Sequence, residues 1–72
     1  MLAVDTNLIV RYLVGDDPAQ AARARKLIDG NEVFVGLTVL LETEWVLRSV
    51  YEFSMRECAK ALRDFAGLPH VT

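Results

Sequence analysis

The stretch Leu2-Ala3-Val4-Asp5-Thr6-Asn7-Leu8-Ile9-Val10-Arg11-Tyr12-Leu13 decides how the chain folds. Its first three residues are apolar, too few to make a helix but suited to a strand buried on both faces. That run stops at Asp5-Thr6-Asn7, and apolar residues return with helical spacing at Leu8, Ile9, Tyr12 and Leu13. A carboxylate is thereby set at the carboxyl end of an interior strand. In open parallel sheets that edge is where ligands bind, because strand ends and helix starts converge there. Asp5 is the first candidate for chemistry, and its alternative role, which Thr6 could also fill, is to cap the helix that follows.

Outward from this stretch the chain alternates between the two periodicities. Gly15 stops the first helix. Asp16-Asp17-Pro18 starts the second, with Asp17 as cap, Pro18 at the first helical position and Gln20 placed to reach back as a capping-box partner. This helix extends to about Asp29 and carries Arg23, Arg25 and Lys26, the densest basic cluster in the chain. Val33-Phe34-Val35 is a short β-branched strand closed by Gly36. A long third helix follows from Thr38 to Tyr51 or Glu52, with Leu40, Leu41, Trp45, Leu47 and Val50 predicted on its inner side. Ser54-Met55-Arg56-Glu57 is a capping box for a fourth helix, whose expected apolar face is Met55, Cys58, Ala59, Leu62, Phe65 and Ala66. Gly67 and Pro69 end that helix, and His70-Val71-Thr72 begins a third strand. Strand, helix, helix, strand, helix, helix and a strand start predict an α/β domain with a parallel sheet and flanking helices.

Composition narrows the function classes. Seventy-two residues make one domain with a small core. The apolar share is 53%, yet it is spread along the chain, and no segment approaches the roughly 18 uncharged apolar residues of a membrane span. The first residues lack the basic region of a signal peptide. Cys58 is the one cysteine, so no internal disulfide forms; a reducing cytoplasm is the expected compartment and a buried thiol its expected state. Eight basic residues against ten acidic ones give a net charge of −2. Any nucleic-acid contact must therefore come from a local patch or a bound metal rather than a bulk positive field. His70, the only histidine, and the aromatic residues Tyr12, Trp45 and Tyr51 read as structural or partner-facing groups.

A metal that activates water needs hard oxygen ligands, and Mg²⁺ typically takes one or two carboxylates and keeps several waters. Asp5 supplies one. For the second, Glu42 and Glu44 compete, and lying two positions apart on a helix they point roughly 200° away from each other. Only one can belong to the site. Glu42 falls about one turn into the third helix, near the strand-end rim, and borders apolar residues, where a carboxylate is costly unless paired or bound.

Three segments, LAVDTNLIVRYL at the start, DDPAQ opening the second helix and VLLETEWVLRSVY in the third, together resemble the PIN-domain ribonucleases, in particular the VapC-type toxins of bacterial toxin–antitoxin pairs. The resemblance runs over essentially the whole chain. It implies a PIN-like α/β fold and a divalent-metal-dependent ribonuclease using Mg²⁺ or Mn²⁺. It also implies metal ligation by Asp5 and Glu42, with Thr6 and Asn7 supporting them by hydrogen bonding. An RNA substrate, a silencing antitoxin packed along the early helices and a homodimer complete the expectation. Full domains of this family are nearly twice as long, with further acidic residues after the third strand. The chain is accordingly expected to be the N-terminal part of one domain, incomplete at its C-terminus and inactive alone. A different class of function stands beside this one: a non-catalytic binding or assembly fragment that uses its apolar helix faces.

Overall fold

Parallel pairing of two very short strands organises the molecule, whose computed structural model describes residues 2–72. β1 (Leu2–Ala3) pairs with β2 (Val33–Phe34), Leu2 opposite Val33 and Ala3 opposite Phe34. On its other side β2 receives the chain end through a parallel bridge between Val33 and Val71. Val33 N–H donates to the His70 carbonyl at 2.7 Å, and Thr72 N–H donates to the Val33 carbonyl at 2.8 Å. The strand start expected at His70-Val71-Thr72 is thus present, and β2 is the central element. Between the strands lie α1 (Thr6–Val14) and α2 (Pro18–Asp29), and after β2 come α3 (Leu37–Ser49) and α4 (Met55–Ala66).

Side chains alternate across a strand, and only one face of this sheet is packed. Val4 and Val33 are buried on that face, joined by Ile9 of α1, Ile28 of α2 and Phe65 of α4 in one cluster. Leu2, Tyr12, Leu13, Val35, Val39 and Val71 pack against its margin. Tyr12 meets Phe65 edge to face, with ring centroids 5.6 Å apart. Ala3 and Phe34, paired in register, remain exposed on the opposite face. β1 is therefore covered on one face rather than on both, because the helices that pack on the strands do so from one side.

The helix starts follow the local chemistry of their first residues. Asp5 Oδ1 accepts the Leu8 N–H at 2.8 Å and caps α1, and Gly15 ends that helix in the left-handed conformation with φ 66°. Asp17 Oδ1 accepts from the Ala19 and Gln20 amides, with no return bond from the Gln20 side chain among the described residues. The capping box before α4 is complete, Ser54 Oγ accepting from the Glu57 amide and the Glu57 carboxylate from the Ser54 amide.

α3 departs from its predicted description. It begins at Leu37 after Gly36 with no side-chain cap, so Thr38 is inside the helix, and it ends at Ser49. Its inner residues are Val39, Thr43 and Leu47, one every four positions; Leu41, Trp45 and Val50 face outward. Trp45 is 67% exposed and Thr43 is fully buried. Burial of a hydroxyl in an apolar contact is tolerated because Thr43 Oγ1 donates to the Val39 carbonyl at 2.7 Å, one turn back in its own helix. In α4 only part of the expected face is inside: Cys58 and Phe65 are buried, while Met55, Ala59 and Ala66 are exposed.

Candidate functional site

The topology places two helix starts at the same rim. β1 runs directly into α1 through Asp5, and β2 runs into α3 through Gly36. Because the strands are parallel, both exits lie at the carboxyl edge of the sheet. α1 packs against α3, which brings the first turn of one helix beside the second turn of the other.

Asp5, Thr6, Asn7 and Glu42, the four residues singled out from sequence, line one hollow of about 380 Å³ at that rim, closed on the α3 side by Val39 and Val46. Thr6 Oγ1 donates to Glu42 Oε2 at 3.1 Å, a bond across 36 positions of sequence that ties α1 to α3. Asp5 carries its capping bond on Oδ1. Capping and ligation are therefore compatible, since Oδ2 of Asp5 and Oε1 of Glu42 have no hydrogen-bond partner among the described residues. Both carboxylates are exposed at the mouth of the hollow.

Val39 and Val46 went unnoticed in the sequence, although they lie three before and four after Glu42 and so share its side of a helix. The apolar surroundings of Glu42 are these two valines; Trp45 points away from the protein. Glu44 belongs elsewhere. It pairs with Arg48 at 3.3 Å and borders a separate hollow between α3 and α4 lined by Met55, Cys58, Ala59 and Leu62. Of the two glutamates, Glu42 shares a hollow with Asp5 and Glu44 does not.

The donors at the rim, two carboxylates with a hydroxyl and an amide beside them, are hard oxygen ligands of the kind that bind Mg²⁺ or Mn²⁺. Two carboxylates match the small protein ligand set of Mg²⁺, which retains waters. Among the described residues no group of three or more His, Cys, Asp or Glu converges on a point. The remaining reactive side chains are engaged elsewhere. Cys58 is a buried free thiol, its pKa raised by burial, and so is not poised as a nucleophile. His70 is half-buried, with Nε2 3.8 Å from Asp29 Oδ1 on α2. No helix among the described residues is long and apolar enough to cross a membrane.

Neither the curated proteins nor the solved structures give a match. The family model of the PIN domain matches residues 2–69, nearly the whole chain, with the Asp5 rim and both of its helices inside the matched region. PIN domains are generally nucleases, typically metal-dependent, and this chain belongs to the PIN-domain family.

Proposed function

We propose that the chain is a divalent-metal-dependent endoribonuclease module in which Asp5 and Glu42 hold Mg²⁺ or Mn²⁺ and Thr6 and Asn7 steady the two carboxylates. The observation that carries this reading is the shared hollow of Asp5, Thr6, Asn7 and Glu42 with its Thr6–Glu42 hydrogen bond. The bound ion would supply activated water and charge neutralisation at the phosphodiester. The protein's own residues do the positioning. The Leu8 amide fixes one oxygen of Asp5 and leaves the other without a hydrogen-bond partner among the described residues, while Thr6 restrains Glu42 so that its carboxylate need not be ordered on binding.

The biological setting we infer is that of a VapC-type toxin in the cytoplasm, silenced by a small antitoxin protein lying along the early helices, with a second copy of the chain as a further partner. With two carboxylates the site takes its ion weakly, so turnover by the chain alone is slow or absent and the decisive measurement reads the metal first. Titration with Mn²⁺ followed by NMR is expected to broaden the amides around Asp5–Asn7 and Val39–Val46 selectively. Uniform broadening, or broadening centred elsewhere, overturns the assignment. In the same titration, RNA cleavage that requires Mn²⁺ is abolished in Asp5→Asn and Glu42→Gln. Asn caps a helix about as well as Asp, so Asp5→Asn should stay within about 0.5 kcal/mol of the parent, whereas Asp5→Ala should cost about 1 kcal/mol of stability as well. Cleavage persisting in Asp5→Asn and Glu42→Gln would remove both residues from the reacting centre.

A second reading draws on a specific feature of α3. Leu37, Leu41 and Trp45 stand four residues apart on its outer side and are 72%, 58% and 67% exposed. Such a stripe suits a binding or assembly fragment. Sedimentation of the chain and of Trp45→Ala tests it: a self-associating parent and a monomeric variant support assembly, and a parent that stays monomeric at high concentration opposes it.

A further inference from the structure

The chain is acidic, yet one of its surfaces carries cations and no acid. Two adjoining hollows on α1 and α2 share Arg23 and Leu27; the first is also lined by Leu8, Arg11 and Gln20, the second by Lys26. Together they make a trough with an apolar floor and basic walls. None of Arg11, Arg23 and Lys26 is within ion-pair distance of a carboxylate among the described residues, and all three are exposed. By contrast, Arg48 and Lys60 are each paired with an acid one turn away. The basic residues come from both helices, Arg11 from the end of α1 and Arg23 and Lys26 from successive turns of α2. Leu8, which lines the first hollow, is one turn along α1 from Asp5, to which its amide donates.

We infer that the α1–α2 trough is the track of a single-stranded RNA backbone leading away from the Asp5–Glu42 rim, with Arg11, Arg23 and Lys26 as its phosphate contacts. This inference rests on the nuclease reading for its direction but not for its chemistry. Three unpaired cations facing one channel, with no carboxylate among them, complement a run of phosphates. The apolar floor of Leu8 and Leu27 accommodates the sugar and base edges without demanding a sequence. Arg25 is on the same helix but on its Tyr12 side, and it lines neither hollow. An antitoxin lying along the early helices would cover this track and exclude the substrate.

Fluorescence anisotropy of a short labelled oligouridine, titrated with the full chain in EDTA, tests the track without any metal. Binding is expected to weaken with salt at a log–log slope of about −2, the value for three phosphates on a single strand. Arg23→Glu with Lys26→Glu should lose at least about 10-fold in affinity and flatten the slope by about 1.4. Arg25→Glu, with the same change of charge per residue, should leave binding within about 2-fold, and Arg23→Lys should retain it, which separates the track from net charge and from misfolding. With EDTA present the titration involves no ion at the Asp5–Glu42 rim. A failed metal site thus leaves this result intact, and a failed track leaves the metal titration intact. Equal binding by the double reversal and the parent overturns the inference. So does a polyglutamate peptide that binds in the trough while the oligouridine does not, which would assign the surface to an acidic protein segment.

Discussion

α1 and α3 are the two helices that build the rim, and they teach opposite things about reading a helix. α1 has apolar residues on one side and Asn7 and Arg11 on the other, so its inner face is determined before any tertiary contact forms. Ile9 is buried as that pattern requires, Leu8, Tyr12 and Leu13 are half-buried beside it, and Val10, outside the expected face, is buried as well. α3 is apolar nearly all round: Leu37, Val39, Leu40, Leu41, Trp45, Val46, Leu47 and Val50 leave no clean polar face. Its rotation is set by what it packs against. Packing on α1, where Thr6 bonds Glu42, and on α4 leaves Thr43 inward and Trp45 outward. Size and hydrophobicity of a side chain did not choose the buried position here.

Truncation breaks the comparison most sharply. Ile9 is fully buried in the shared core, so Ile9→Ala should cost about 2–5 kcal/mol. For a domain this size that is a large part of the total stability, and the urea midpoint should fall accordingly or folding be lost. Trp45→Ala removes a far larger side chain from α3 yet should change stability by no more than about 0.5 kcal/mol. Were Trp45→Ala to cost as much as Ile9→Ala, α3 would have to be rotated so that Trp45 faces inward in place of Thr43.

The two helices also leave by different means. α1 ends on Gly15 with φ 66°, where a glycine carries no steric cost. The connection that follows α3 passes through Glu52 with φ 57°, the one non-glycine residue with positive φ among the described residues. Gly15→Ala should therefore destabilise by about 1 kcal/mol. Glu52→Gly should do the reverse, raising the thermal midpoint through a gain of up to about 1 kcal/mol, reduced by the entropy that glycine adds to the unfolded chain. Loss of stability in Glu52→Gly would show that the Glu52 side chain makes a contribution larger than the strain.

These contrasts mark how far the residues themselves carry the reading. Asp5, Asp17 and Ser54 act locally by accepting from amides two or three residues on, Gly15 and Gly67 by donating their own amides to carbonyls four residues back, and the element order and most helix ends were legible from them. The rim was legible because parallel topology sends both strand exits to one edge, which makes Asp5 and Glu42 expected neighbours. What escaped was whatever depends on a partner element. Thr43 as a core residue needs the Val39 carbonyl to satisfy it. The single covered face of β1 follows from where the helices lie. The basic trough appears only when Arg11 of one helix meets Arg23 of the next; the cluster at Arg23, Arg25 and Lys26 was visible in sequence, but not that Arg25 would leave it.

The smallest effect separates the beginnings of α3 and α4. α3 starts at Gly36 with no side-chain cap, so nothing at that end titrates. α4 starts with the Glu57 carboxylate accepting the Ser54 amide at 2.9 Å. That backbone bond, followed by the one to the Ser54 side chain, holds the Glu57 pKa below its ordinary value in the folded chain. A carboxyl lowered on folding favours the folded state at pH above its unfolded value, about 4.3. The contribution fades as pH falls through the lower folded value, where protonation empties the bond. Glu57→Gln keeps an oxygen that can accept from Ser54 and has no proton to gain. Urea midpoints measured from pH 7 down to pH 3 should therefore run slightly less steeply for Glu57→Gln than for the parent, with the two curves nearly level at neutral pH. Parallel curves across the acid range would mean that the box forms in the unfolded chain as readily as in the folded one, and that α4, like α3, begins without help from charge.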